Sequence, residues 1–327
     1  MGLPPINPPL LNSANPWCSS QSDLEALHAC PHTGAVTTRT SLLHGFPHDS
    51  SIHQHAFFSP TSHTATTAPD YSLSNTTDYP ASLNTLGYSP FPLSTYLSWI
   101  EAIVSTAQPP RKTKPFIVSI TGTPAEIVQC YTLIVALSLR LPQTPLAVEI
   151  NLSCPNIAGK PPPAYSGAAL KEYLDALAQT PRTIPLGIKT PPYTYAGQFD
   201  ELVRALREAA ELIDFVTATN TLGSCLVLGG DKPLLSSAAG TGIGGLAGEP
   251  LHALALGNVA TLRRMLDSCP ELANVDIIGV GGVGDKAAFD RMQAVGAKCV
   301  AVGTAYGREG LSVFGKILQD RTAKSRL

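Results

Sequence analysis

The sequence predicts a single α/β domain of the (β/α)₈-barrel class that spans residues 1–327. Eight short runs rich in apolar and β-branched residues recur along the chain, and amphipathic segments separate many of them. The length of 327 residues and the hydrophobic fraction of 44% suit one large core. Eight strand–helix units of this kind can close into a barrel. The predicted strands are 35–38, 82–86, 116–120, 147–151, 185–189, 214–219, 276–280 and 298–302.

The strands and helices are distinguished by their hydrophobic patterns. Several predicted strands, such as 276–280, are mostly apolar, as expected for strands that are buried on both faces. Segments 198–212 and 286–295 are instead amphipathic, and the first places Phe199, Leu202 and Leu206 near helical spacing. A doubly wound parallel sheet is the alternative architecture for the same order of elements.

Segment 44–80 differs from the rest of the chain because it is rich in Ser, Thr and His. It contains five of the eight histidines. A metal site is conceivable, but the favoured interpretation is a long loop excursion over the barrel mouth, and no metal site is predicted. The five histidines are His44, His48, His53, His55 and His63.

Composition and the first residues exclude several classes of protein. The net charge of −2 gives no broad basic surface for nucleic acid. The seven cysteines have irregular spacing and no C-x-x-C pair, which argues against a disulfide scaffold, a zinc site and an iron–sulfur cluster. The N-terminal stretch has no basic region and is broken by prolines, so neither a signal peptide nor a membrane span is predicted. We therefore expect a cytoplasmic protein without membrane attachment.

Polar residues and glycines occur at the ends of the predicted strands. In (β/α)₈ barrels the active site lies at the C-terminal ends of the strands, so these residues indicate a ligand site. Because Asn, Gly and Thr also commonly terminate strands, each position alone has a purely structural interpretation. The residues are Thr38-Arg39, Asn84, Asn151, Lys189, Asn220-Thr221, Gly281-Gly282 and Gly303-Thr304.

The most informative segment is Glu149-Ile-Asn-Leu-Ser-Cys-Pro-Asn-Ile-Ala-Gly-Lys160. Asn151 and Asn156 can each donate and accept hydrogen bonds, which suits a planar heterocycle with imide groups. Cys154 lies between them, and a thiolate there could take a proton from a bound carbon acid. Taken alone, Cys154 could equally be a buried structural cysteine.

This segment resembles the Asn-Leu-Ser-Cys-Pro-Asn loop of the class 1 dihydroorotate dehydrogenases, and it continues into the Gly-Lys-Pro of class 1A. The resemblance implies that Cys154 is the catalytic base and that Asn151 and Asn156 hold the substrate. Class 2 enzymes have serine at this position and an N-terminal membrane segment. Class 1B enzymes work with a partner subunit that carries an iron–sulfur cluster.

The resemblance extends over nearly the whole chain and implies further site residues. The segment Ser82-Leu-Asn-Thr-Leu-Gly87 is similar to the family's substrate segment, and Gly187-Ile-Lys-Thr-Pro-Pro-Tyr193 is similar to its strand-end lysine motif, with Lys189 reaching the flavin ring. The residues implied to bind substrate are Arg39, Asn84, Leu86, Gly87, Asn151, Asn156, Asn220 and Thr221. Those implied to bind the cofactor are Ser13, Ala14, Thr38, Asn151, Lys189, Gly244, Gly245, Gly281, Gly282, Gly303 and Thr304.

The glycines that follow the last two predicted strands have an independent physical rationale. Glycine lets backbone N–H groups approach a phosphate closely, and the ends of strands 7 and 8 are a recurrent phosphate site in these barrels. The pairs Gly281-Gly282 and Gly303-Thr304 therefore predict the position of the cofactor phosphate.

Several positions depart from the family pattern around the expected ring site. Arg39 stands where the family usually has a lysine that touches flavin and substrate, and arginine is planar and bulkier. Asn15 replaces a glycine expected under the flavin, and Leu42-Leu-His-Gly-Phe-Pro47 replaces the Arg-Glu-Gly-Asn-Pro segment. Tyr88-Ser89-Pro90 replaces the usual Leu-Pro-Asn. These changes bear on substrate identity more than on flavin binding.

The resemblance implies an FMN-dependent oxidation of (S)-dihydroorotate to orotate in pyrimidine biosynthesis, with fumarate as electron acceptor, by a homodimer. Two alternatives remain open at this point. One is a paralogous FMN enzyme that acts on another dihydropyrimidine or on an enone. The other is a non-catalytic barrel used for interaction.

Overall fold

The computed structural model describes residues 1–66, 79–109, 113–157, 159 and 161–319. Two sheets and a set of outer helices make up the main body of this part of the chain. In chain order, the strands are β1 (Leu10–Asn12), β2 (Val36–Thr37), β3 (His55–Phe58), β4 (Ala65–Thr66), β5 (Ala81–Asn84), β6 (Phe116–Ile120), β7 (Leu146–Asn151), β8 (Leu186–Thr190), β9 (Phe215–Ala218), β10 (Leu222–Cys225), β11 (Leu228–Gly229), β12 (Lys232–Pro233), β13 (Gly244–Gly248), β14 (Asp276–Val280) and β15 (Cys299–Val302).

The outer helices follow the barrel strands. Segment 198–212 was predicted as a helix and forms one that begins and ends slightly earlier, and segment 286–295 forms a helix close to its predicted bounds. The helices are α1 (Gln21–Ala29), α2 (Leu93–Thr106), α3 (Pro124–Arg140), α4 (Gly167–Ala178), α5 (Ala196–Glu208), α6 (His252–Asp267), α7 (Lys286–Ala294), α8 (Thr304–Glu309) and α9 (Ser312–Leu318).

Eight parallel strands form the barrel, in the order β1-β15-β14-β9-β8-β7-β6-β2. A parallel bridge between Leu11 and Ala35 joins the two ends of this sheet. The predicted (β/α)₈ class is therefore confirmed.

Apolar side chains fill the barrel on both faces of its strands. Every residue of β6 and β7 is buried, which agrees with their mostly apolar sequences. Inside the barrel, Leu11, Ile117, Phe215 and Ile278 belong to one packed cluster. A Cβ on Gly187 of β8 would lie 2.3 Å from the Phe215 ring, so glycine at this position makes room for the ring.

The second sheet is antiparallel and has the order β10-β13-β5-β3-β4. It lies at the C-terminal end of the barrel, where Ser82 Oγ of β5 is 2.8 Å from Thr304 Oγ1 just after β15. The prediction that 82–86 is a barrel strand was wrong. The eighth barrel strand is instead β1, between β15 and β2, which the prediction missed because the strand has only three residues and follows a proline-rich stretch.

The His-rich segment 44–80 contributes two strands to this second sheet. β3 pairs with β5 and β4 pairs with β3, so the described part of the segment covers the barrel mouth. Residues 67–78 of the segment lie outside the described residues. Among the described residues, no helix is long and apolar enough to cross a membrane.

Candidate active site

A cavity of about 820 Å³ lies between the C-terminal ends of the barrel strands and the second sheet. Active sites of (β/α)₈ barrels occupy this end, and a cavity of this size can hold a small-molecule ligand. The structure brings most of the predicted site residues to its wall. They are Ser13, Ala14, Arg39, Asn84, Leu86, Gly87, Asn151, Cys154, Asn156, Lys189, Asn220, Thr221, Gly281, Gly282, Gly303 and Thr304.

Three predicted cofactor residues, Thr38, Gly244 and Gly245, are not part of this wall. Thr38 is fully buried, and its hydroxyl accepts a hydrogen bond from the backbone N–H of Ser119 (3.0 Å). A Cβ on Gly245 would lie 2.2 Å from Thr221 Oγ1, so this glycine allows β13 to pack against the site. Cofactor contact by these three residues stays a prediction.

A chain of hydrogen bonds connects the barrel interior with the cavity. Ser119 Oγ donates to the Glu149 carboxylate (2.8 Å) and lies 2.9 Å from Thr40 Oγ1. Because a hydroxyl has one proton, Ser119 must accept from Thr40, and the Thr40 hydroxyl is left to accept from Asn151 Nδ2 (2.9 Å). The chain thereby fixes the Asn151 amide with its nitrogen toward Thr40.

The side-chain oxygen of Asn151 holds the next polar residues in place. It accepts from Ser153 Oγ (2.9 Å) and from Asn220 Nδ2 (3.2 Å). Asn220 Nδ2 also donates to Ser153 Oγ (2.9 Å), and Asn220 Oδ1 accepts from the Thr221 N–H (2.8 Å). The orientations of both amides are therefore set before any ligand binds, which favours recognition of a ligand with a fixed pattern of donors and acceptors.

A second amide cluster lies where the loop after β7 meets the second sheet. Asn156 Nδ2 donates to Asn84 Oδ1 (2.8 Å) and to the carbonyl of Leu86 (2.9 Å). Asn84 Nδ2 in turn donates to the carbonyl of Gly245 (3.2 Å). These bonds tie the loop after β7 to the second sheet, so the sheet helps to position the loop that carries Cys154.

The thiol of Cys154 lies on this loop between the two amide clusters. Burial raises its pKa above the usual value, because desolvation disfavours the thiolate. A backbone N–H at Asn156, the charges of Lys189 and Arg39, and a hydrogen bond from Tyr88 act in the opposite direction. The site therefore contains the groups needed to stabilise a thiolate, but burial is the larger effect.

Arg39 points into the site and not to solvent. Its guanidinium donates to Ser19 Oγ (3.2 Å) and to the carbonyls of Gly87 (3.4 Å) and Tyr88 (3.3 Å). These bonds hold the Gly87–Tyr88 backbone beside the cavity. Arg39 thus has a structural role, and its contact with flavin or substrate stays a prediction.

Lys189 projects from β8, next to Asn151 of β7 in the strand register. It is almost fully buried and lines the cavity. A buried cation at the end of a barrel strand can stabilise negative charge that develops on a neighbouring ring.

The glycine-rich end of the cavity lies after the seventh and eighth barrel strands, β14 and β15. Gly282 has φ +67°, and a Cβ there would lie 2.6 Å from the Cβ of His252 and 2.9 Å from the carbonyl oxygen of Gly248. A Cβ on Gly303 would lie 3.1 Å from Ser13 Oγ. Glycine at these positions lets the backbone pack closely against α6 and the loop after β1, and its N–H groups in the cavity wall form a candidate site for a phosphate.

Comparison with known proteins agrees with this arrangement. A family profile described as "Dihydroorotate dehydrogenase" matches residues 68–324. This chain belongs to the dihydroorotate dehydrogenase family.

Relatives of this family cover most of the chain. A protein of Trypanosoma cruzi named "Dihydroorotate dehydrogenase (fumarate)" is 28% identical over 310 residues, which cover 94% of this chain and 87% of the relative. A "Putative dihydroorotate dehydrogenase A (fumarate)" of Streptococcus pyogenes is 31% identical over 242 residues, or 73% of this chain and 71% of the relative.

Solved structures of family members share the fold. The ligand-free dihydroorotate dehydrogenase of Eimeria tenella superimposes with a TM-score of 0.69 at 17% identity, covering 94% of this chain and 82% of that one. At this level of identity the likeness concerns the fold alone.

The structure adds site residues that were not among those predicted for the family site. Tyr88 and His55 line the cavity, as does Trp17. The His55 ring packs edge-on against Trp17, with centroids 5.5 Å apart, and among the described residues its buried Nε2 has no hydrogen-bond partner. The concentration of histidines in 44–80 was the only signal in the sequence for His55, because nothing local predicted that β3 would pair beside Asn84.

Proposed function

We propose that this protein is an FMN-dependent dihydroorotate dehydrogenase that oxidises (S)-dihydroorotate to orotate and uses fumarate as electron acceptor. The observation that carries the proposal is one cavity that contains Cys154, Lys189, two amide clusters and a glycine-rich end suited to a phosphate. The names of the fumarate-type relatives from Trypanosoma cruzi and Streptococcus pyogenes support it. The protein would act in pyrimidine biosynthesis.

The reaction removes two hydrogens from neighbouring carbons of the substrate. Cys154 Sγ, as the thiolate, takes the proton from C5. The chemistry that bound FMN would supply is acceptance of the hydride from C6. The positive charge of Lys189 lies in the buried wall, where it favours negative charge on a ring placed beside it.

The amide groups orient the substrate ring. Asn151 and Asn220 have their side-chain orientations fixed by Thr40 and Ser153, so their remaining donors and acceptors face a ligand in one arrangement. Asn156 and Asn84, which are hydrogen-bonded to each other, present their amide groups to the ligand from the side of the second sheet. Holding C5 near Cys154 in this way lowers the entropic cost of the proton transfer.

The glycine-rich end suits the phosphate of FMN. Gly281, Gly282, Gly303 and Thr304 would donate backbone N–H groups to it, and Ser13 and Ala14 would contact the flavin from β1. We further propose one domain for the whole chain, a homodimer and a cytoplasmic location.

The direct test is turnover of dihydroorotate with fumarate, a quinone and NAD offered in parallel. We expect a yellow protein with one FMN per chain and the highest rate with fumarate. A flavin-free protein that also fails to bind added FMN would overturn the proposal and would leave the non-catalytic barrel.

A second candidate is an enzyme that acts on another dihydropyrimidine or on an enone. The observation that favours it is the changed ring site, where Arg39 binds the carbonyls of Gly87 and Tyr88. Titration with orotate separates the two candidates. A saturable shift of the flavin spectrum supports dihydroorotate oxidation, whereas a yellow protein with no such shift supports the second candidate.

A further inference from the structure

A group of basic side chains lines the cavity beyond the glycine-rich backbone. Arg291 projects from α7, Arg308 belongs to α8, Lys316 belongs to α9, and His252 begins α6. All four line the same cavity as Gly281 and Gly282. This end of the cavity therefore has more positive charge than a site formed by backbone N–H groups alone.

Most of this positive charge is already neutralised. Glu309 forms ion pairs with both Arg308 and Lys316. Within the described residues, no carboxylate forms an ion pair with Arg291. Arg291 is thus the cation of this group that is available to an anionic ligand.

A hydrogen bond from Arg291 to His252 directs its guanidinium. His252 Nδ1 lies 2.7 Å from the carbonyl oxygen of Gly281, and because a carbonyl only accepts, Nδ1 carries the proton. Nε2 of the neutral ring is then an acceptor, and it receives the Nε–H of Arg291 at 3.2 Å. This bond occupies only the inner nitrogen, so the two terminal nitrogens keep their donors for a ligand.

His252 also lies directly against the predicted phosphate site. A Cβ on Gly282 would be 2.6 Å from the Cβ of His252, and the His252 ring is bonded to the carbonyl of the neighbouring Gly281. The histidine therefore connects Arg291 to the same backbone that forms the phosphate cradle.

We infer that Arg291, positioned by His252, binds the phosphate of FMN in addition to the glycine backbone. This inference rests on the proposed function, because it requires FMN as the cofactor. A phosphate dianion gains more from a guanidinium than from neutral N–H donors, since charge-assisted bonds are roughly twice as strong and arginine can bind in a bidentate manner.

The test compares two flavins on the full-length chain after its flavin has been removed. FMN has the phosphate and riboflavin lacks it, and quenching of flavin fluorescence on binding gives both dissociation constants. The variant is Arg291→Ala. The matched control is Lys286→Ala on the same helix, whose ammonium pairs with Asp290 (2.6 Å) and does not line the cavity.

We expect Arg291→Ala to weaken FMN binding by about tenfold or more and to leave riboflavin binding unchanged. Lys286→Ala should change neither, which excludes a general effect of net charge. Arg291→Lys should recover part of the FMN affinity, because lysine keeps the charge without the bidentate geometry.

Two results would overturn the inference. One is FMN binding by Arg291→Ala at the affinity of the unsubstituted protein. The other is an equal loss of FMN and riboflavin affinity, which would indicate a structural role for Arg291. Failure of the proposed function gives a different result, because the unsubstituted protein would then not bind FMN.

Discussion

The reactivity of Cys154 depends on the balance between burial and the groups around the thiol. Burial raises its pKa, so at neutral pH most of the enzyme has a neutral thiol that cannot take a proton. Lys189, Arg39 and Tyr88 favour the thiolate and limit this rise. The thiolate fraction, and with it the rate of proton removal, should therefore increase as the pH increases.

We predict that flavin reduction by dihydroorotate accelerates with pH and levels off above the raised pKa of Cys154. Stopped-flow reduction from about pH 6 to about pH 11 measures this profile, because the plateau lies above the ordinary pKa of a thiol. Cys154→Ala should slow the reduction by about 10²–10⁴-fold, the usual contribution of a general base, and should leave FMN bound. A near-normal rate in Cys154→Ala would show that another group is the base.

A variant of Tyr88 tests whether the pH profile of flavin reduction reports the titration of Cys154. The Tyr88 hydroxyl lowers the pKa of Cys154, so Tyr88→Phe should move the profile to higher pH without changing its plateau. Tyr173→Phe is the control, since that hydroxyl donates to the carbonyl of Gly122 (3.1 Å) and Tyr173 does not line the cavity. A lower plateau with an unshifted midpoint in Tyr88→Phe would argue for a packing role of the ring.

Arg39 should contribute both charge and geometry. Because its guanidinium lies in the cavity wall, we predict that Arg39→Lys keeps activity and that Arg39→Ala loses about tenfold or more, the scale of a charge-assisted hydrogen bond. Steady-state kinetics with dihydroorotate measures the loss. Full activity in Arg39→Ala would show that this residue contacts neither flavin nor substrate.

At the scale of elements, the barrel and its catalytic loop were predictable because their signals are local. The apolar strands and the segment Glu149–Lys160 are read directly from neighbouring residues, although Ala158 and Lys160 lie outside the described residues. The second sheet was not predictable from local signals of this kind. Segment 82–86 has the pattern of a barrel strand, and only its antiparallel pairing with β3 and β13 shows that it belongs elsewhere.

A substitution in the loop after β14 should change the conformation of the whole loop and not only one side-chain contact. Gly282 has φ +67° and no space for a Cβ, so Gly282→Ala should distort the phosphate cradle and yield mostly flavin-free protein. Gly257→Ala on α6 is the control because a Cβ there would meet nothing within 4 Å and Gly257 does not line the cavity. The ratio of flavin to protein absorbance after purification measures the outcome, and equal ratios in the two variants would contradict it.

At the scale of the whole molecule, three apolar side chains beside the second sheet are exposed among the described residues: Leu226 after β10, Leu228 in the separate β11–β12 pair and Ile243 before β13. Leu226, Leu228 and Ile243 are 47%, 44% and 45% exposed. Cys225 of β10 is opposite Gly244 of β13 in an antiparallel ladder, so the next residues, Leu226 and Ile243, lie close together. Exposed apolar side chains that lie together can mark a protein interface.

We predict that the protein is a homodimer, as its resemblance to class 1A enzymes implies, and that the patch of Leu226, Leu228 and Ile243 is buried between the two copies. Light scattering at micromolar concentration should give twice the chain mass of 34.3 kDa. A charged residue in the patch would have to be desolvated in the dimer, so Leu228→Lys should shift the mass toward that of the monomer. Leu139→Lys on α3, where the leucine is 77% exposed, is the control and should leave the dimer intact. A monomer mass for the unsubstituted protein would exclude the dimer, and a dimer that Leu228→Lys leaves unchanged would place the interface on another surface.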